Sequence, residues 1–129
     1  MSKVALVVDD SMLIRYSFCR FLEERGFAVE AATNGSEALD MLSRAKPDLI
    51  VTDLKMPKMS GGELITVLKA SDQTSNVPII VVTSKANGSS EPDPRADFVI
   101  FKDIDVETQL DAALELVVKK KSHGEAAGH

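Results

Sequence analysis

Cysteine and long apolar runs are the features that this sequence has least of. Its single cysteine, Cys19, excludes an internal disulfide. Because it falls among apolar residues in a helical pattern, we interpret it as a small buried hydrophobic residue in a reducing compartment. No apolar run approaches the ~20 residues of a membrane-spanning helix, so no membrane span is expected. The first strand also begins too near the N-terminus for a signal peptide, and the sequence predicts a cytoplasmic protein.

An excess of positive charge is also missing. The chain has 15 lysines and arginines against 20 aspartates and glutamates, a formal net charge of −5. Because nucleic-acid binding needs a basic face, this balance argues against a direct nucleic-acid partner. The one lysine run, residues 119–121, lies where the last helix is predicted to end. There it meets the negative end of the helix dipole, which is a structural role.

Short apolar runs separated by helical stretches make up most of the chain. Runs of this kind are typical of strands in a parallel sheet that is covered on both faces. The predicted strands are residues 4–8, 28–31, 48–52, 78–82 and 98–101. Helices are predicted after the first, second, third and last of these strands, each with a capping residue or a turn signal before it.

The alternation of strands and helices predicts an α/β fold. At 129 residues the chain is long enough for one domain with a buried core. We expect a three-layer α/β/α sandwich around a doubly wound five-stranded parallel sheet, with the flavodoxin-like order 2-1-3-4-5. The domain should span residues 1–121, and the small polar residues 122–129 should form a flexible tail.

One crossover lacks the apolar stripe that an amphipathic helix needs. Residues 84–96 contain two prolines, one glycine and no large apolar side chain. We therefore expect mostly loop, with the fourth crossover helix short or missing. Because such a loop makes few apolar contacts, residues 85–96 should be the dynamic part of the domain and the place where a signal from the site is transmitted.

Polar side chains follow four of the predicted strands, at the point where each strand ends. Asp9 and Asp10 follow the first strand, Asp53 the third, Thr83 the fourth and Lys102 the fifth. Carboxyl ends of parallel strands share one edge of the sheet, and ligands bind there at the switch point between the first and third strands. These carboxylates, a hydroxyl and an ammonium group predict a site for a divalent cation and a phosphoryl group.

The chemistry of these side chains is consistent with phosphoryl transfer. Adjacent carboxylates repel one another, and a bound cation offsets the repulsion. Mg²⁺ prefers oxygen ligands, which Asp10 and Asp53 could supply directly and Asp9 through a water, with a backbone carbonyl in the turn after Asp53 as a further ligand. Asp53 can accept a phosphoryl group as an acyl phosphate, while Lys102 and Thr83 bind its oxygens. Each residue alone has an ordinary structural explanation, such as a helix cap or a solvated lysine; their convergence favours the chemistry.

Three short segments and one lysine resemble one known family. They are VDDS at residues 8–11, DLKMPKMSG at residues 53–61, VTS at residues 82–84, and Lys102. Over residues 3 to about 119 the chain resembles the receiver domain of two-component response regulators. The resemblance implies that Asp53 is the phosphoacceptor, that Asp9, Asp10, Asp53 and the Lys55 backbone carbonyl bind Mg²⁺, that Thr83 is the switch hydroxyl, and that Lys102 senses the phosphoryl group.

The chain departs from that family at three places. The family has a proline in a cis bond after the lysine, where this chain has Asp103. Its rotating aromatic residue is replaced here by Val99, with Phe98 and Phe101 nearby. The third departure is the crossover without an apolar stripe. All three lie on the side that carries output in the family, so the phosphorylation chemistry is expected to be intact and the threonine–aromatic switch to be altered.

The leading hypothesis is a stand-alone receiver that signals by protein contact. It would take its phosphoryl group from a phosphohistidine on a sensor histidine kinase or a histidine phosphotransfer protein, and would assist only its own phosphorylation and autodephosphorylation. The donor is expected to dock on the first helix, near Ser11, Leu13, Ile14, Arg15 and Phe18.

Three alternatives remain at this point. The first is a pseudo-receiver scaffold that binds partners without a phosphorylation-driven switch. The second is an aspartyl-phosphate hydrolase, but such enzymes carry an acid two residues after the nucleophile, where this chain has Lys55. The third is a flavin-binding domain, in which the acidic loop after the first strand would repel the flavin phosphate.

Overall fold

The computed structural model describes residues 3–44, 46–54, 59–84 and 94–127 of the chain. Within these ranges the elements are β1 (Lys3–Val8), α1 (Met12–Glu24), β2 (Phe27–Ala32), α2 (Gly35–Leu42), β3 (Leu49–Asp53), α3 (Gly61–Ala70), β4 (Ile79–Thr83), β5 (Phe98–Phe101) and α4 (Val106–Ala127). The strands and the helices therefore alternate largely as the apolar pattern predicts.

The strands form one parallel sheet in the order β2-β1-β3-β4-β5. This order confirms the predicted flavodoxin-like topology. The sheet is wound outward from β1 in both directions, so a crevice opens between the carboxyl ends of β1 and β3. Val8 pairs with Thr52 and Asp53 pairs with Val82, which brings the ends of these three strands to nearly the same level.

Two hydrophobic clusters cover the two faces of the sheet. On one face α1 and α4 bury side chains that include Phe18, Leu22 and Leu110, and the partly buried Cys19 packs against this cluster. On the opposite face α2 and α3 bury side chains such as Leu64. Every residue of β3 and β4 is buried, because both faces of these central strands are covered. The three-layer sandwich is thus confirmed.

Capping residues explain where two of the helices begin. The Ser11 hydroxyl accepts a hydrogen bond from the Ile14 amide, so α1 starts immediately after the acidic pair. Ser60 and Glu63 form a reciprocal capping box at the start of α3. The helix begins at Gly61 because the capping box satisfies its first amides, which outweighs the poor helix propensity of glycine.

The last helix is longer than the sequence predicted. The helix was expected to end at the lysine run, whereas α4 continues to Ala127. The flexibility of residues 122–129 stays a prediction. The terminal residues Glu125, Ala126 and Ala127 are good helix formers, and no proline follows Pro94 in the chain, so nothing in the sequence forces the helix to stop at the lysine run. The domain limit at residue 121 remains a prediction.

The crossover between β4 and β5 is described only at its two ends. The predicted loop, with a short or missing fourth helix, covers residues 84–96, of which 85–93 lie outside the described residues. The expected mobility of residues 85–96 stays a prediction. At the second end, the Arg95 guanidinium donates hydrogen bonds to the Thr66 hydroxyl (2.8 Å) and to the Gly62 carbonyl (3.2 Å). The Asp97 carboxylate accepts one from the Ile79 amide at 2.8 Å. This end of the crossover is therefore fixed to α3 and β4.

Candidate functional site

Three carboxylates meet at the carboxyl edge of the sheet. Asp9 and Asp10 follow β1, and Asp53 is the last residue of the neighbouring strand β3. One oxygen of each carboxylate lies within 4.8 Å of the others. Asp9 and Asp53 are buried, with 2% and 5% of their surface exposed, whereas Asp10 is exposed to solvent. We call these three residues the acidic cluster.

The Lys102 side chain reaches this cluster from the end of β5. Its Nζ atom lies 3.0 Å from Asp53 Oδ2 and 3.7 Å from Asp9 Oδ2. Burial alone would lower the pKa of Lys102, but the hydrogen bond to Asp53 and the negative charges of Asp53, Asp9 and Asp10 outweigh it, and the pKa is raised. The ammonium group therefore stays protonated and compensates part of the negative charge of the cluster.

The buried position of Asp9 disfavours its charged form. Burial raises its pKa above the ordinary value, and the charges of Asp53 and Asp10 act in the same direction. The Ser11 amide donates a hydrogen bond to Asp9 Oδ1 at 2.8 Å and opposes this effect, as does the charge of Lys102. Arg15 donates to the Asp9 backbone carbonyl at 2.8 Å, which fixes the chain at this point. Sequence reasoning placed Arg15 on the donor surface and missed this contact.

The acidic cluster fits a hard divalent cation. It offers oxygen ligands from three carboxylates, and the exposed Asp10 leaves one side open to the waters that Mg²⁺ retains. The Lys55 carbonyl, which the sequence suggested as a further ligand, lies outside the described residues. Met59, the first described residue after the gap at 55–58, packs its side chain against Gly35 at the start of α2. A Cβ atom at Gly35 would lie only 2.8 Å from Met59 Cγ.

Thr83 is the last residue of β4 and lies beside the acidic cluster. It directly follows Val82, which pairs with Asp53 in the sheet. It is buried, with 8% of its surface exposed. Its backbone carbonyl accepts a hydrogen bond from the Lys102 amide at 2.8 Å. The backbones that carry the predicted switch hydroxyl and the predicted phosphate-sensing ammonium group are thus directly bonded to each other.

The turn after Lys102 is built without a cis peptide bond within the described residues. Asp103 accepts a hydrogen bond from the Ser84 hydroxyl at 3.3 Å. Asp105 caps α4 by accepting from the Thr108 amide at 3.3 Å. Gln109, one turn into α4, contacts the backbone of Phe101 twice. Sequence analysis did not single out Gln109, because a glutamine on a helix surface has no pattern that marks such a role.

The position of the family's rotating aromatic residue is half-buried and is occupied by Val99. Alternation along β5 places Phe101 on the same face of the strand as Val99, and Phe101 pairs with Thr83. Phe98, by contrast, packs against the core cluster that α1 and α4 form. An aromatic side chain is therefore present on this face, two residues later than in the family pattern.

A doubly wound parallel sheet with an acidic cluster and a lysine at its carboxyl edge defines a receiver-type domain. The sequence matches the family described as response regulator receiver domain over residues 5–115. The chain belongs to this family. This finding confirms the resemblance drawn from the motifs, and within the described residues nothing favours the pseudo-receiver alternative.

Individual relatives agree with this assignment. The chain is 32% identical over 126 residues to the response regulator MprA of Mycolicibacterium vanbaalenii, covering 95% of this chain and 53% of that protein. It thus spans about half the length of this relative. Among solved structures, a chemotaxis response regulator of Vibrio cholerae superposes with a TM-score of 0.77 at 29% identity, covering 90% of this chain and 99% of the other.

A second structural relative is part of a different kind of signalling protein. The signal receiver domain of a signal transduction histidine kinase from Syntrophus aciditrophicus has a TM-score of 0.77 at 30% identity and covers 92% of both chains. Receiver domains related to this chain therefore occur in proteins of more than one architecture. Among the described residues, no helix is both long and apolar enough to cross a bilayer.

Proposed function

We propose that Asp53 accepts a phosphoryl group from a phosphohistidine and that the acidic cluster, with the Lys55 carbonyl, binds the Mg²⁺ that assists the transfer. The observation that carries the proposal is the contact between Asp53 and Lys102, a buried carboxylate at a strand end with an ammonium group 3.0 Å away. This contact places a positive charge beside Asp53, where the phosphoryl oxygens would lie.

The transfer is a substitution at phosphorus. An oxygen of Asp53 forms the new O–P bond while the P–N bond of the phosphohistidine breaks, and the departing imidazole keeps the electron pair and takes up a proton from solvent. Bound Mg²⁺ would neutralise charge on the phosphoryl oxygens during this step. Lys102 would exchange its bond to the Asp53 carboxylate for one to the new phosphoryl group, and the Thr83 hydroxyl would donate to another oxygen.

The donor is proposed to dock on the N-terminal half of α1. Met12, Leu13 and Tyr16 are 75%, 73% and 63% exposed and lie directly after the acidic pair. A partner helix from a sensor histidine kinase or a histidine phosphotransfer protein could cover these apolar side chains while its phosphohistidine approaches Asp53. The expectation that Phe18 takes part is wrong, because Phe18 is only 2% exposed and belongs to the core.

Beyond the site, we propose a signalling protein of the cytoplasm that acts through a downstream protein target. It would catalyse only its own phosphorylation and autodephosphorylation and would turn over no external substrate. The net charge of −5 supports an output that does not bind nucleic acid directly. The proposal includes action as a single domain, with a sensor histidine kinase or a histidine phosphotransfer protein as the donor.

Intact-mass measurement tests the proposal. After incubation with acetyl phosphate and Mg²⁺, the protein should gain the mass of one phosphoryl group, and the adduct should be labile to base. Asp53→Asn should remain unmodified, while Asp72→Asn, at an exposed turn position, should be modified as fully as the wild type. A full adduct on Asp53→Asn would contradict the assignment.

A further inference from the structure

The end of β5 lies at the edge of the described sheet, beside the functional site. β5 is the outermost strand of the sheet, with β4 on one side only. The Lys102 amide points toward β4, where it bonds to the Thr83 carbonyl. Because backbone groups of successive residues in a strand point in opposite directions, the N–H and C=O groups of Phe101 face away from β4. On this outermost strand of the described sheet, they point away from the other strands.

The Gln109 side chain bonds to both of these outward-facing groups. Its Oε1 atom accepts a hydrogen bond from the Phe101 amide at 2.9 Å, and its Nε2 group donates to the Phe101 carbonyl, also at 2.9 Å. The second hydrogen of Nε2 is directed to the Asp105 carbonyl at 3.2 Å. The carboxamide therefore contacts both outward-facing backbone groups of Phe101 and ties them to the first turn of α4.

Hydrogen bonds on both sides of β5 fix its backbone at Phe101 and Lys102. The Lys102 amide is bonded to β4, and the preceding residue is bonded to α4 through Gln109. The side chain of Lys102 can then extend to Asp53 and Asp9 from a fixed origin. No cis peptide bond is present in the described residues to fix this turn in another way.

We propose that Gln109 is a positioning residue for the phosphorylation reaction, acting through Lys102. The inference rests on the proposed function of Asp53 and Lys102. Gln109 touches neither the acidic cluster nor the phosphoryl donor in this role; it fixes the end of β5 so that the Lys102 ammonium group lies where the phosphoryl oxygens arrive. Displacing such a group by about 1 Å can cost up to roughly a hundredfold in rate.

Gln109→Met tests the proposal, because methionine has a similar length but neither donates nor accepts a comparable hydrogen bond. The rate of phosphorylation by acetyl phosphate at saturating Mg²⁺ should fall by about tenfold or more. The matched control is Gln73→Met, at an exposed turn position, which should leave the rate unchanged. Amide exchange should accelerate at Phe101, whose hydrogen bond is lost, and not in the strands β1 and β3.

A double-mutant cycle separates positioning from a general loss of stability. In the Lys102→Ala background, Gln109→Met should have no further effect on the phosphorylation rate, because the group that it positions is gone. An equal fold-loss in both backgrounds, or an unchanged rate in Gln109→Met with only a lower melting temperature, would overturn the proposal.

A second variant at the same position tests the proposal if Gln109→Met does not fold. Gln109→Glu keeps the acceptor for the Phe101 amide and loses the donor to the Phe101 carbonyl, and it should also slow phosphorylation only when Lys102 is present. If both variants fail to fold, the role is structural and the proposal is wrong. Failure of the wild type to be phosphorylated would instead contradict the proposed function, so the two failures are distinguishable.

Discussion

The acidic cluster and the turn after β5 are built in different ways, although Lys102 joins them. The acidic cluster consists of residues that end neighbouring strands, so the topology of the sheet alone brings them together. The β5 turn, residues 101–105, is held by side-chain bonds to backbone from Gln109 and Asp105 and by the Ser84–Asp103 contact. The strands thus position the carboxylates of the acidic cluster, whereas polar side-chain contacts position the turn that carries Lys102.

The largest expected effect is at the cluster itself. Asp10→Asn should weaken Mg²⁺ binding by about a hundredfold or more, since it removes one of the negative charges that attract the ion. Isothermal titration measures the change, with Asp40→Asn, an exposed residue of α2, as the control. Unchanged Mg²⁺ affinity in Asp10→Asn would place the metal elsewhere. The metal-free melting temperature should rise slightly, because the repulsion within the cluster is reduced.

The next largest effect is expected from removing Lys102, the residue that joins the two regions. Lys102→Ala leaves the buried Asp9 and Asp53 without their ammonium partner, and the free energy of unfolding should fall by about 1–3 kcal/mol. Urea denaturation without metal measures the loss. Because the pKa of Lys102 is raised in the folded state, its stabilising effect is fully present below the pKa of the unfolded chain. It disappears as the pH rises through the folded value. A loss that did not shrink at high pH would contradict the ion pairing.

Asp9→Asn should act in the opposite direction. The raised pKa of Asp9 means that its ionised form is less favourable in the folded state than in the unfolded chain, so a neutral amide should increase the metal-free melting temperature by a few degrees at neutral pH. The asparagine oxygen can still accept the bond from the Ser11 amide. The gain should vanish as the pH falls below the ordinary aspartate range, where Asp9 itself is protonated. Thermal denaturation across the acidic range checks the sign.

The smallest effect is expected at the far end of the crossover. Arg95→Ala removes the exposed hydrogen bonds to Thr66 and Gly62 and should lower the free energy of unfolding by only about 0.5–1 kcal/mol. Its local effect should be clearer, with faster hydrogen exchange in residues 95–97. Arg44→Ala, a substitution in the turn after α2, is a control that should leave exchange there unchanged.

The two regions also differ in how far the sequence predicted them. Val4 to Val8 and Leu49 to Val51 are apolar runs whose strand character does not depend on distant contacts, and the aspartates after them follow from strand order. Gln109, in contrast, is one of several polar residues on α4, and its two bonds to the Phe101 backbone depend on the folded edge of β5. The start of α3 at Gly61 depends on the capping box of Ser60, which outweighs the poor helix propensity of glycine.

Chemical mapping of the modified residue tests the central claim most directly. An acyl phosphate on aspartate is reduced by borohydride to homoserine, whereas a phosphoester on serine or threonine is not, so peptide sequencing by mass spectrometry after reduction identifies the acceptor. Homoserine is expected at residue 53 alone, formed only in the presence of Mg²⁺ and a phosphodonor. Homoserine at position 9 or 10, or a phosphoryl group that survives on Ser84 or Thr83, would contradict it.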